Sequence, residues 1–223
     1  MTLHPGNKNK GDRGFNNETT GFLISPRQLS SEFAEHPMDF ARDIREARTV
    51  VCAGDLMNFL WKNLFYDPKK PLAKGLMKGD FLLAVYRHLN TGPRTALKTS
   101  DGRMAGRESI ASIVGLTKVT PRSIAYAATL ARFILNDQQM WADNDHRFRG
   151  EEFFRIILRI FRNDPRWAKS TLAWWNKRVF DEEPDSKVSK FKGRVGPTTE
   201  ALLMQERAAA QDNDGDDSSD GDS

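Results

Sequence analysis

Cysteine is nearly absent: Cys52 is the only one in 223 residues. A lone thiol excludes an internal disulfide and a cysteine-rich zinc site, and such usage fits a reducing compartment. Long apolar runs are equally scarce. The best candidate, residues 124–135, is interrupted by Arg132 and falls short of the roughly 20 apolar residues that a membrane helix needs. No membrane partner is therefore expected. Residues 1–12 are polar and lack the apolar stretch of a signal peptide. An intracellular, non-secreted protein is predicted, in nucleus or cytoplasm alike.

Recognisable catalytic patterns are missing as well. Gly102 and Gly106 flank no Lys-Ser/Thr step, and no Gly-x-Ser-x-Gly elbow occurs. The four histidines, His4, His36, His88 and His146, show no metal-ligand spacing. Carboxylates and an imidazole crowd together only at Asp143, Asp145 and His146. That spacing starts like a calcium loop, but the Gly and terminal Glu positions fail. A solvated turn between helices is the reading adopted there. No catalytic residue, metal ligand or cofactor is assigned.

Charge is what the chain has in quantity. The net value is +4, yet residues 211–223 hold six Asp and no Lys or Arg, so the body carries about +10. A basic body attracts nucleic acid or acidic proteins through its summed field. Two readings stand for the acidic tail, solubility or competition for the same basic surface.

Apolar periodicity predicts helices through the middle of the chain. Residues 1–27, with Gly6, Gly11, Gly14 and Gly21 among Asn and Asp, read as an extended arm or loop. The first helix is placed at Met38–Ala47, with Met38, Ala41, Ile44 and Ala47 inward. Thr49-Val50-Val51 is expected to be briefly extended. A second helix is expected from Asp55 as N-cap through Leu64, and a third from Asp80 to Leu89. The segment 90–106 is polar and turn-rich. Thr120-Pro121 is the strongest local signal, a capping hydroxyl followed by proline at the first helical position. The helix it starts, to Leu135, is apolar nearly all round, which marks a helix buried on several sides. Two further helices follow, Glu151–Arg162 with six inward apolar residues, and one after Asp164-Pro165 carrying Trp167, Trp174 and Trp175. The predicted fold is all-α, one irregular bundle of about six or seven helices around a central buried helix, 120–135. Residues 28–180 form that helical domain, and 181–223 a linker, a short helix at 198–210 and a disordered acidic tail.

Three features bear on binding. Residues 108–133 have the Ala, Gly and Thr-capped-helix spacing of a helix-turn-helix, with Lys118, Arg122 and Arg132 as phosphate contacts and Ser123 near a base edge. Pro121 stands where that motif packs an aliphatic, and the second helix is very apolar for a wet groove. Arg155, Arg159 and Arg162 form a stripe at i, i+4 and i+7. It reads either as a phosphate-binding row or as a solvated face whose stems cover apolar surface.

Several phrases also carry a resemblance: Asp12-Arg13-Gly14-Phe15 with Thr20-Gly21-Phe22-Leu23, Tyr66-Asp67-Pro68, Gly79-Asp80-Phe81-Leu82-Leu83, Thr120-Pro121-Arg122-Ser123-Ile124-Ala125-Tyr126-Ala127, and Trp174-Trp175-Asn176. Over about residues 10–180 the chain resembles a large family, without assigned activity, expanded in mushroom-forming basidiomycete fungi. It departs from that family's pattern at Ser25 and at Gly92-Pro93-Arg94-Thr95. The resemblance implies domain limits and a fungal source, and no reaction. The leading functional expectation is a non-catalytic interaction domain that binds protein or nucleic acid through Lys118, Arg122, Arg155, Arg159 and Arg162. A DNA reader using the helix after Thr120, and a hydrolase or nuclease built from residues distant in the chain, stand as alternatives.

Overall fold

A computed structural model describes residues 9–91, 117–142, 144–145, 148–180 and 204–205. It comprises two compact units, Met1–Pro184 and Asp185–Ser223. Among the described residues of the first, the α-helices are α1 (Glu18–Ile24), α2 (Ser30–Glu35), α3 (Pro37–Arg45), α4 (Asp80–Thr91), α5 (Pro121–Leu135), α6 (Gly150–Asn163) and α7 (Pro165–Phe180). The sheet among the described residues is one antiparallel ladder of two-residue strands, β1 (Asn144–Asp145) and β2 (Phe148–Arg149). Of the second unit only residues 204–205 are described, and they are helical. The rest of the expected helix 198–210 and the acidic tail lie outside the described residues, as do 92–116.

The fold is the all-α bundle expected, and α5 is its centre. Thr120 Oγ1 accepts from the Ser123 amide at 3.1 Å while Ser123 Oγ accepts from the Thr120 amide at 3.0 Å. This reciprocal cap satisfies two orphan donors of the first turn. Ile124, Ala125, Ala127, Ala128 and Ala131 are fully buried, and the small alanines let α4, α6 and α1 all pack against the same helix. Burial is not complete around the helix, because Tyr126 is 58% and Ile134 40% exposed.

Residues 55–64 overturn the expected second helix. Asp55 Oδ2 accepts from the Cys52 amide at 2.9 Å, turning back along the chain instead of capping forward. Beyond it lies a single 3-10 turn, Asn58–Leu60, flanked by backbone bridges pairing Met57 with Pro26 and Trp61 with Leu76. Met57, Phe59, Leu60 and Trp61 are all buried. A short apolar run buried on every side has no amphipathic period to read. The Leu60 carbonyl accepts the amides of Lys78 at 3.1 Å and Gly79 at 3.2 Å, tying this segment to the start of α4.

The N-terminal residues depart from pure loop. Asn17 caps α1, accepting from the Thr20 amide at 3.1 Å. Gly21, read as a turn residue, lies inside α1, where a Cβ would strike the buried Phe33 ring. Phe15, Phe33 and Phe40 cluster with centroids 5.5–6.0 Å apart. That cluster takes the inward face of α3, so Phe40 and Ala41 are buried while Met38 is 77% exposed. Thr49-Val50-Val51 forms no strand. On α6 the buried row narrows to Phe153, Ile157 and Phe161, leaving Phe154, Leu158 and Ile160 half-buried. Among the described residues no helix is long and apolar enough to cross a membrane.

Candidate functional site

Trp174 and Trp175 organise one end of the bundle. Trp175 is fully buried on α7, donates Nε1–H to the Met77 carbonyl at 2.7 Å and packs on Tyr86 with centroids 5.0 Å apart. Tyr86, on α4, donates its hydroxyl to Ser123 Oγ at 3.0 Å. Burial pushes the Tyr86 pKa up, and the Ser123 bond only partly offsets that. The next residue, Asn176, accepts the Val119 amide on its side-chain oxygen at 2.7 Å. Arg87 reaches from α4 to the Arg178 carbonyl at 2.6 Å. These bonds bring together the α4 helix, the start of α5 and the last turns of α7.

The same bonds concentrate positive charge. Lys78 and Arg178 lie 5.9 and 5.1 Å from the half-buried Trp174 ring, an arrangement in which the ring quadrupole attracts both cations. Lys118, Arg122 and Lys177 are exposed and make no ion pair. Over their whole lengths α5 and α7 hold six cations, Arg122, Arg132, Arg166, Lys169, Lys177 and Arg178, and no Asp or Glu. With no carboxylate on either helix to cancel them, their fields add. Arg132 is the exception in placement, buried beside the Phe148 ring at 4.9 Å.

The five residues predicted from sequence fall into two groups. Lys118 and Arg122 belong to this cationic and aromatic end. Arg155, Arg159 and Arg162 are exposed on α6, opposite Phe153, Ile157 and Phe161. Glu151 pairs with Arg155 at 2.5 Å, whereas Arg159 and Arg162 have no ion-pair partner. Asp164, the one acid between Arg159 and Arg178, caps α7 by accepting the Trp167 amide at 2.9 Å. Sequence reading passed over Lys78, Arg87, Lys177 and Arg178. The available signal was the lack of acids in 165–180, which a search for cation spacing does not register.

Of the helix-turn-helix segment, residues 108–116 lie outside the described residues. Within α5, Ile124 and Ala128 are buried, Phe133 is half-buried and Arg122 points outward. The Ser123 hydroxyl, read as a base contact, is held by Thr120 and Tyr86 instead. Asp143 and His146 also lie outside the described residues, and Asn144–Asp145 pairs antiparallel with Phe148–Arg149. Among the described residues no group of His, Cys, Asp and Glu converges as a metal site.

The architecture and this surface define an all-α bundle with one cationic, aromatic end. The family of unknown function DUF6698 matches residues 2–180, and the chain belongs to that family. No curated protein and no solved structure matches it.

Proposed function

We propose that this protein is a non-catalytic interaction domain, in a fungal and intracellular setting, that engages a polyanionic partner with nucleic acid as the first candidate. The reading rests on one observation: α5 and α7 present five exposed cations, Arg122, Arg166, Lys169, Lys177 and Arg178, without a single acid, and Lys78 and Arg178 both lie over the Trp174 ring. Interleaved cations and an aromatic face suit phosphate contact combined with stacking. The domain proposed to carry it is the helical body, with residues 181–223 as linker and acidic tail. Six Asp in the same chain as a basic body are expected to compete with an anionic partner, so removal of 211–223 is expected to tighten binding.

The test is fluorescence anisotropy of a labelled 20-base-pair duplex at several salt concentrations, with the full chain and with a chain ending at residue 210. Each phosphate neutralised is expected to contribute about −0.9 to the slope of log K against log salt. Charge reversal at Lys118, Arg122 and Lys177 is expected to flatten that slope by about 3 × 0.9. Reversal at Arg155, Arg159 and Arg162 then shows whether α6 takes part. If neither chain binds DNA or an RNA duplex, the nucleic-acid assignment is wrong and an acidic protein becomes the partner to seek.

A further inference from the structure

A second region, remote in sequence from α5 and α7, has the features of a small-molecule site. Residues 61–75 form a loop whose ends meet, since the Lys62 amide donates to the Gly75 carbonyl at 2.9 Å. Gly75 turns the chain with φ +81°, a conformation that side chains disfavour. The loop encloses an open groove of about 290 Å³, near the lower end of the roughly 300–1,000 Å³ range of ligand pockets.

Arg27 forms the inner wall of the groove and is 6% exposed. Its guanidinium donates to Asn58 Oδ1, to the Leu64 carbonyl at 2.9 Å and to the Phe65 carbonyl at 2.9 Å. Trp61 and Tyr66 present their rings to it at 5.2 and 5.6 Å. Every one of these partners is neutral, and Nε–H has none. A buried cation ordinarily has a carboxylate beside it. The carboxylate lining the groove is Asp67, and it is bound to Lys70 Nζ at 2.8 Å and to the Lys69 amide at 3.0 Å. Lys62, also on the wall, pairs with Asp80. Arg27 and Lys74 are thus left without an anionic partner. Burial lowers the Arg27 pKa, as expected for an uncompensated charge.

The rim supplies apolar surface in the same place. Phe65 is 77% and Leu72 46% exposed, and both line the groove. Two uncompensated cations exclude a cationic guest, and exposed Phe65 and Leu72 favour a flat apolar body. We propose that this groove binds a small anion in which a carboxylate or phosphate is carried on a flat ring, the anionic group lying towards Arg27 and Lys74 and the ring against Phe65 and Tyr66. The inference is independent of the polyanion reading, because none of the cations on α5, α6 or α7 takes part.

The experiment is a ¹H–¹⁵N chemical-shift titration of the full chain with benzoate, phenyl phosphate, inorganic phosphate and benzyl alcohol. Saturable shifts that include the Trp61 indole are expected with at least one ring anion. Benzyl alcohol and inorganic phosphate are expected to bind at least about tenfold more weakly, since each offers only half of the contacts. Binding of benzoate alone assigns carboxylates, of phenyl phosphate alone phosphates, and of both the shared chemistry. Phe65→Ser and Lys74→Gln alter exposed side chains, so both variants are expected to fold, and each to weaken binding about fivefold. No saturation with either ring anion, equal binding of benzyl alcohol or inorganic phosphate, or unchanged affinity in either variant overturns the assignment.

Discussion

Replacing Gly79 by Ala tests the junction on which α4 depends. The residue is buried between the end of the 57–61 segment and the first turn of α4. A Cβ placed there lies 3.0 Å from the Phe59 carbonyl carbon and 3.2 Å from that of Leu60, and closer still to the Phe59 oxygen. An ordinary carbon-to-oxygen approach is about 3.3–3.6 Å. All these neighbours are backbone, so no side-chain rotation relieves the clash. The two strands of chain have to separate, and the bonds to the Leu60 carbonyl, 3.1 Å from Lys78 and 3.2 Å from Gly79, are the first affected. Losing two hydrogen bonds costs about 2 kcal/mol, and overpacking a filled core adds about 1–3 kcal/mol. The opposing gain from a stiffer unfolded chain is under about 1 kcal/mol. A net loss of about 2–5 kcal/mol follows, centred on about 10 °C in Tm for a domain of this size. Urea unfolding followed by tryptophan fluorescence measures it. Gly54→Ala is the matched control, since a Cβ at Gly54 meets only Cys52 Sγ at 3.8 Å and is expected to leave stability within about 0.5 kcal/mol. A Gly79→Ala loss below about 1 kcal/mol would refute the close-approach argument.

Further outcomes follow from α5 and its neighbour α4. Thr120→Ala removes one half of the reciprocal cap, and a loss of about 1 kcal/mol is expected in the same unfolding assay; an unchanged midpoint contradicts the cap. Tyr86 has its pKa raised above the ordinary 10.0 by burial. The unfolded chain therefore releases this proton first, so the stabilisation is complete below about pH 10 and is lost as pH rises through the folded value. The fall in stability above pH 10 is expected to be shallower in Tyr86→Phe, measured by urea midpoints from pH 8 to 11. An identical alkaline limb in both proteins would show that Tyr86 ionises freely when folded.

Local chemistry made α5 legible before any coordinates. Thr120, Pro121 and Ser123 specify its first turn, and twelve following residues with no charge but Arg132 specify its burial. Helices α4, α6 and α7 were legible for the same reason, because capping and a period of 3.6 act within a few residues of one another. Misreadings occurred where a residue's reason for being there lies far along the chain. Gly21 belongs to a helix because Phe33 presses on it, and Met57–Trp61 is not a helix because Pro26, Leu76 and Gly79 take up its backbone or crowd it. The binding surfaces divide in the same way. The stripe on α6 could be counted from the sequence, since i, i+4 and i+7 share a face whatever surrounds the helix. The cationic end could not, because Lys78, Arg87, Arg122 and Lys177 come from three parts of the chain that tertiary contacts such as those of Tyr86, Trp175 and Asn176 bring together. The amino-acid order by itself determined the helical class, the caps and the sum of the charge. Which cations stand together, and that Arg27 is buried without a counter-charge, was decided by tertiary packing, because electrostatic interaction depends on distance in space and the sequence records only distance along the chain.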